Sequence, residues 1–214
     1  MIVDVRGSQP PAAAVAAAAS ALRAGVVVVL PTDTVYGLAA LPTVEGATGR
    51  VFALKGRSAD VPLAVLCSDA PQALALADPA ALSDDLLRVA ERLWPGPLTI
   101  VLPRRPGLGY ELGRPDTTIG LRCPDHALVR AVAADVGPIA TTSANPHGRP
   151  TPETAPEVAA ALGDDGAVVA LVLDGGPCAG TPSTVLDATG ADWRVLREGT
   201  LTLDDLKAAA LSPS

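Results

Sequence analysis

The chain has 214 residues and a mass of 21.4 kDa, enough for one domain to bury a full core without disulfides. Hydrophobic residues make up 49% but aromatics only 2%, so the core must be packed closely from Ala, Val and Leu. A net charge of -7 and a pI near 4.7 argue against a protein whose main work is holding a polyanion, because non-specific nucleic-acid affinity comes from neutralised phosphates; a local basic pocket for a small anion stays compatible.

Pro10 and Pro11 open an alanine-rich helix that Gly25 closes, and VVVVL (26–30) follows as a buried strand running into the loop PTDTVYGL (31–38). The apolar run 12–30 approaches the length of a membrane span. Arg23 interrupts it, Gly25 stops the helix, and the valines are strand formers, so it reads as helix then strand, with no leader and no span. TVEGATGRVFALKGR predicts a helix from about 44 to 54, with Lys55 and Arg57 at its C-terminal end, before the strand PLAVLC (62–67). PQALALAD (71–78) and SDDLLRVAERLW (83–94) are two further helices; Ser83 is the N-cap of the second, with Asp84 and Asp85 in its first turn. PGP stops that helix and LTIVL (98–102) is a strand.

Residues 103–116, PRRPGLGYELGRPD, form a Gly/Pro-rich surface loop expected to be mobile. TTIGLRC (117–123) is a strand, DHALVRAVAADV (125–136) a helix, and PIATTS (138–143) a strand entering ANPHGRPTP. PETAPEVAAAL (152–162) is a helix, VALVLDGG (169–176) a strand, STVLDAT and WRVLRE two short strands, and LTLDDLKAAAL (201–211) a last helix capped by Thr202. No repeat, heptad run or composition shift divides the chain, so residues 1–214 are expected to form one α/β (α+β) domain, three layers around a mixed sheet, with its motif-bearing core at about 10–200.

The three cysteines, Cys67, Cys123 and Cys178, are odd in number and far apart, which fits neither a disulfide framework nor a zinc site, and suits a reducing cytoplasm. The chain lacks GxxxxGK[ST], GxGxxG, HExxH and GxSxG, and two histidines cannot supply a multi-histidine metal site. Polar loops follow the apolar strands instead, where open α/β sheets hold ligands. Their hydroxyls (Thr32, Thr34, Thr118, Thr141, Thr142, Ser143, Ser183, Thr184) and cations (Lys55, Arg57, Arg122, Arg197) suit phosphate and carboxylate oxygens. Fourteen of the 16 basic residues are arginine, so Lys55 stands out beside Lys207; Asn145 is the chain's one asparagine. Each has an ordinary explanation as well: a lysine at a helix end is favoured by the dipole, and Asn before Pro forms turns. His147 and Arg149 fit a solvated loop, and Cys67 a small buried hydrophobe.

In chain order PTDTVYGL, KGRSADVPL, LWPGPLTIVL, TIGLRCPDH, TTSANPHGRPTP, PSTVLD and LREG resemble the YrdC-type threonylcarbamoyl-AMP synthase family (TsaC/YrdC, short form), over about residues 26–199. The resemblance implies a twisted mixed sheet enclosing a positive cavity. It also implies synthesis of L-threonylcarbamoyl adenylate and pyrophosphate from L-threonine, bicarbonate and ATP. Mg2+ would come with ATP, and no organic cofactor or protein metal site is needed. The product would pass to tRNA threonylcarbamoyl transferase proteins that modify position 37 of tRNAs reading ANN codons. By the same resemblance Thr34, Arg122, Thr141 and Ser183 hold threonine; Arg57, Thr118, Ser143, Thr151 and Arg197 hold ATP; and Lys55 and Asn145 join Arg57 and Ser143 as the catalytic set. Val61 stands where relatives carry an Asn at the nucleotide, Leu66 where they carry a His near threonine, and Ser58 where Pro is common. A cytoplasmic monomer is expected. A YciO-like paralogue of unknown substrate and an RNA-binding module, or weak RNA contact beside the enzyme activity, stay open. As cavity-lining surface charges, Lys55 and Arg57 are expected to be replaceable by Ala with activity lost and the melting temperature kept within a few degrees.

Overall fold

A computed structural model describes residues 1–7, 9–56, 58–146, 148–163, 169–178 and 180–211. Among these the strands are β1 (Ile2–Asp4), β2 (Val27–Leu30), β3 (Gly37–Ala40), β4 (Ala64–Leu66), β5 (Leu98–Pro103), β6 (Thr118–Arg122), β7 (Ile139–Ser143), β8 (Val169–Asp174), β9 (Thr184–Asp187) and β10 (Arg194–Arg197). The helices are α1 (Ala12–Arg23), α2 (Ala47–Lys55), α3 (Ala70–Leu74), α4 (Asp84–Leu93), α5 (Ala127–Val136), α6 (Ala155–Leu162) and α7 (Leu203–Leu211). One sheet joins all ten strands in the order β1-β8-β2-β3-β7-β4-β6-β5-β9-β10. Four parallel pairs (β1/β8, β2/β8, β4/β6, β5/β9) and five antiparallel ones (β2/β3, β3/β7, β4/β7, β5/β6, β9/β10) give the expected mixed α/β architecture.

The period of two along each strand sorts the core onto two faces. Val28 and Leu30 of β2, Ala39 of β3 and Ile139 of β7 face α1 and α5, meeting Ala14, Ala18, Leu22, Val129 and Val132. Their neighbours Val27, Val29, Leu38 and Ala140 face the opposite way, with Val51 of α2, Val89 of α4, Val158 of α6 and Leu206 of α7 in the same cluster. Because Ala18 and Ala19 are fully buried and project only a methyl group, α1 can lie close to the sheet, which compensates for the scarcity of aromatics. Tyr36, also fully buried, satisfies its hydroxyl by donating to the Gly176 carbonyl at 2.7 Å.

Caps end the helices as the sequence predicts. Ser83 Oγ accepts from Leu86 N at 3.3 Å. Thr202 Oγ1 accepts from Asp205 N at 3.2 Å while the Asp205 carboxylate accepts from Thr202 N at 2.8 Å. Four expectations need correction. Gly37 and Leu38, at the end of PTDTVYGL, belong with Ala39 and Ala40 to strand β3 and not to a loop, because pairing to β2 on one side and β7 on the other satisfies their backbone. The helix expected from 44 starts at Ala47, since Gly46 in the left-handed region (φ 71°) precedes it. PQALALAD is helical only to Leu74, and a 3-10 turn at Pro79–Ala81 follows. β1, unforeseen in the sequence, is an edge strand of three residues held by β8. The 104–117 loop is tied down: Arg104 donates through Nη2 to the Leu108 and Tyr110 carbonyls, and its backbone N to the Thr117 carbonyl at 2.8 Å. No described helix is long and apolar enough to cross a membrane.

Candidate functional site

Along β4, β6 and β7 the residues on the α1/α5 side of the sheet are Ala64 and Leu66; Thr118, Gly120 and Arg122; and Thr141 and Ser143. The register sets Leu66 against Arg122, and Ala64 against both Gly120 and Thr141. Beyond the reach of α1 and α5 this face carries small and polar side chains beside Leu66 and Val101, and it floors a cavity of about 370 Å³. The walls come from the 32–37 loop, Val61–Leu63, Pro182, Ser183 and strand β10 with Leu196 and Arg197. Gly37 lets β3 approach the floor, since a Cβ there would stand 2.8 Å from Thr141 Oγ1. Gly199 does the same for LREG against PSTVLD: a Cβ would lie 2.4 Å from both the Pro182 carbonyl and the Thr184 N.

Seven of the eleven residues assigned by the resemblance line this one cavity, Thr34, Thr118, Arg122, Thr141, Ser143, Ser183 and Arg197, together with the strand-end hydroxyls Thr32 and Thr142. Arg122, only 6% exposed, donates Nε to the Gly96 carbonyl at 3.1 Å and Nη1 to Thr34 Oγ1 at 2.8 Å. Its Nη2 donates to Asp33 Oδ1 at 2.6 Å. Burial presses its pKa down and Asp33 pulls it back up, which leaves a guanidinium charged at every relevant pH. Arg197 donates to the Ser183 carbonyl at 2.9 Å and Ser183 Oγ at 3.0 Å, and Ser183 Oγ shares a hydrogen bond of 2.8 Å with Thr99 Oγ1. Partial burial, and then the charge of Arg122, hold Arg197 below an ordinary arginine, so two cations look into the same space.

Lys55 and Asn145 stand behind the cavity rather than in its lining. Lys55, 4% exposed, donates Nζ to the Ser143 carbonyl at 2.7 Å, to Ser143 Oγ at 3.0 Å and to Asn145 Oδ1. Ser143 Oγ in turn donates to Asn145 Oδ1 at 2.6 Å, and Asn145 Nδ2 donates to the Arg149 carbonyl. The end of α2 is thus joined to the end of β7 through one buried ammonium, and Lys55 is not the surface charge that its helix-end position suggests. Thr151 lies outside the cavity lining, and Arg57 and His147 fall outside the described residues. Sequence reasoning passed over Asp33, Thr99 and the Gly96 carbonyl; Asp33 sits within PTDTVYGL, so the motif pointed at it without marking its partner.

Of the departures from relatives, Val61 and Leu66 both line the cavity and join Leu63, Val101, Val185 and Leu196 in an apolar wall, while Ser58 is not part of the lining. Val61 at 47% and Leu196 at 58% exposure stand on its rim. Two other hollows lack this convergence. One of about 660 Å³ between α4, α7 and the β9–β10 turn is lined mainly by Ala and Leu. One of about 1350 Å³ at the 103–117 loop balances its arginines with Asp60, Asp78, Glu111 and Asp116. All three cysteines are buried free thiols, and burial pushes Cys123 up to about 11, which removes a thiolate nucleophile at neutral pH. Among the described residues no group of three or more His, Cys, Asp or Glu could hold a metal ion.

Cations and hydroxyls gathered at strand ends beneath an apolar rim define a small-ligand site for an anionic, partly apolar molecule on an α/β sheet. Comparison with known proteins gives the lineage. The Sua5/YciO/YrdC family model, described as telomere recombination, matches residues 20–199, and the chain belongs to this family. A Mycobacterium tuberculosis relative is 37% identical over 187 residues, 86% of this chain and 83% of its own length. The threonylcarbamoyl-AMP synthase of Bacillus subtilis is 39% identical over 193 residues, 89% of this chain but 54% of that protein. Among solved structures, Pyrococcus abyssi Sua5 complexed with L-threonine superposes with a TM-score of 0.89 at 34% identity, over 98% of this chain and 60% of that one. Escherichia coli YciO shares the fold, with a TM-score of 0.85 at 23% identity.

Proposed function

We propose that this protein is an L-threonylcarbamoyladenylate synthase: it condenses L-threonine, bicarbonate and ATP to L-threonylcarbamoyl-AMP and pyrophosphate. The convergence of Arg122 and Arg197 with Thr34, Thr118, Thr141, Ser143 and Ser183 in one cavity carries this reading. It is supported by the likeness, over nearly the whole chain, to a Sua5 bound to L-threonine. In this reading Thr34, Arg122, Thr141 and Ser183 hold threonine. Thr118, Ser143 and Arg197 meet ATP, as do Arg57 and Thr151. Lys55 and Asn145 fix the Ser143 end of β7.

The chemistry suits the residue types. The threonine amine and bicarbonate give a carbamate and water; a carbamate oxygen then forms a bond to the α-phosphorus as the bond to pyrophosphate breaks. An anion must approach a polyanion, so positive charge held in place before reaction lowers the barrier most. Mg2+ belongs here to the substrate, travelling with the triphosphate. The product serves N6-threonylcarbamoyladenosine formation at position 37 of tRNAs reading ANN codons, by transfer proteins that receive the adenylate in the cytoplasm. RNA binding as the main role is disfavoured: the chain is acidic, and of its two tyrosines Tyr36 is fully buried, so aromatic stacking platforms are scarce.

Pyrophosphate release by the purified protein, with L-threonine and bicarbonate omitted in turn, tests the reading. Release should need all three substrates. Release that persists without threonine would overturn it.

A further inference from the structure

Arg197 reaches the cavity from β10, the strand at the end of the sheet, which among the described residues pairs with β9 alone. Three of its four residues, Arg194, Leu196 and Arg197, are exposed. Such an edge strand is a poor mount for a cation that must stand still, and simple alternation would point this one the wrong way. Val195 packs on the far face of the sheet with its partner Leu186, so a regular strand would turn Leu196 toward the cavity and Arg197 away from it. The pairing slips instead: Arg197, not Leu196, opposes Val185, which leaves Leu196 as the extra residue of a bulge. Leu196, Arg197 and Val185 consequently all line the cavity.

What holds the slipped register lies behind β9. Thr184 alternates with the cavity residues Ser183 and Val185, is not part of the lining, and is fully buried on the other face. Its Oγ1 accepts from Gly199 N and Leu201 N, both at 3.1 Å, and donates to the Leu201 carbonyl at 2.8 Å. One hydroxyl therefore grips the chain two and four residues beyond Arg197. Its own backbone N donates to the Pro97 carbonyl at 2.9 Å, which anchors the grip in the sheet. The other end of β10 is fixed separately, since Asp187 accepts from Thr189 N at 3.0 Å and from Arg194 Nη2 at 2.8 Å. With both ends tied, the surplus residue has to bulge between them.

We propose that Thr184 is a positioning residue: its hydroxyl, on the face of β9 away from the cavity, holds residues 199–201 and with them the bulge that turns Arg197 to the ligand. Arg197 commits Nε and Nη2 to the Ser183 carbonyl and Nη2 also to Ser183 Oγ, while its Nη1 has no partner among the described residues. The edge it offers a ligand is therefore set by where the backbone of β10 lies. A valine at 184 has nearly the same volume and makes none of the three hydrogen bonds. Residues 199–201 are partly exposed, so their backbone groups can turn to water and let the bulge relax without unfolding the sheet.

Because the proposal rests on the reading of Arg197 as a contact of ATP, nucleotide binding and turnover are measured separately. Calorimetric titration with MgATP compares the wild-type protein with Thr184→Val, Thr184→Ser, Arg197→Ala and the double variant Thr184→Val/Arg197→Ala. Thr184→Val should weaken MgATP binding about tenfold, short of the roughly hundredfold that a misplacement of about 1 Å can cost in rate. Thr184→Ser, which keeps the hydroxyl, should recover most of the lost affinity. In the Arg197→Ala background the same Thr184→Val change should have no further effect, because the group it positions is gone. If Thr184→Val does not fold, Gly199→Ala, which sets a methyl group against the Pro182 carbonyl and Thr184 N, displaces the same segment and takes its place in the cycle. Wild-type affinity in Thr184→Val, a loss of equal size with and without Arg197, or undiminished binding in Arg197→Ala overturns the assignment. Threonine-dependent pyrophosphate release by the wild-type protein alongside any of these would leave the synthase reading standing. MgATP binding that depends on Thr184 through Arg197, without such release, would instead remove the synthase reading and keep the positioning role.

Discussion

Replacing Lys55 separates a buried structural charge from a solvated one. Its ammonium has two oxygens of Ser143 and one of Asn145 as partners, at 4% exposure. A hydrogen bond to a charged group contributes about 1.5–3 kcal/mol, but water entering the space left by the side chain would re-satisfy some of these acceptors. Lys55→Ala should therefore lose about 2–4 kcal/mol rather than the sum of three bonds. For a chain of this size each kcal/mol lowers Tm by about 2–4 °C, so the fall should be roughly 5–15 °C. Lys55→Met, which keeps the stem and drops the charge, should retain most of that loss if the hydrogen bonds dominate. Lys55→Arg keeps the charge but sets a larger planar group where three acceptors surround a point, with overpacking of about 1–3 kcal/mol. It should still lose most of its pyrophosphate release. Differential scanning calorimetry and the pyrophosphate assay read the two effects on the same samples. A Tm for Lys55→Ala within about 2 °C of wild type would refute the buried network, on the scale expected of exposed substitutions. Full activity in Lys55→Arg would refute the need for a compact charge.

Further outcomes follow from other parts of the site and its supports. Gly37→Ala places a methyl group 2.8 Å from Thr141 Oγ1, and should raise the KM for threonine severalfold while unfolding shifts by about 1–3 kcal/mol; an unchanged KM would show that the close approach is not needed. Arg197→Ala, on an exposed edge strand, should lower the rate on the order of a hundredfold and move Tm by only about 2 °C, read by steady-state kinetics and thermal melts. His126 is held neutral by burial, its folded pKa below the unfolded value near 6.5, so protons bind the unfolded chain first and stability should fall as pH drops below about 6.5. His126→Gln should flatten that limb of a urea-melt pH series. Glu157, lowered by the backbone N–H groups of Glu153 and Thr154, stabilises α6 above the unfolded carboxyl range near pH 4.3 and ceases to as pH falls through its folded value; Glu157→Gln should make acid unfolding less steep.

How much of this could be read from the chain depends on which interactions are local. Helices α1, α4 and α7 announce themselves through Pro, Ser or Thr starts, and β2 and β5 through unbroken Val, Ile and Leu, because those signals act within a few residues. GLAA has no such signal. It is strand because β2 and β7 already flank it, and a segment between two open edges is extended whatever its propensity. The site shows the same division. Hydroxyls and cations at strand ends mark a ligand position, and period-two alternation turns Thr118 and Arg122, or Thr141 and Ser143, toward one side. Pairings that decide the state of a charge span the chain: Asp33 meets Arg122 from 89 positions away, and Lys55 meets Asn145 from 90. A lysine in the last turn of a helix has a sufficient local explanation, and only the packing of α2 against β7 turns it into a buried link. Leu66 completes the argument. Its neighbours on β4 predict a buried strand residue, which it is, but the register that sets it beside Arg122 makes it a wall of the cavity as well. The apolar side of the ligand space is therefore built by residues whose sequence context speaks only of the core.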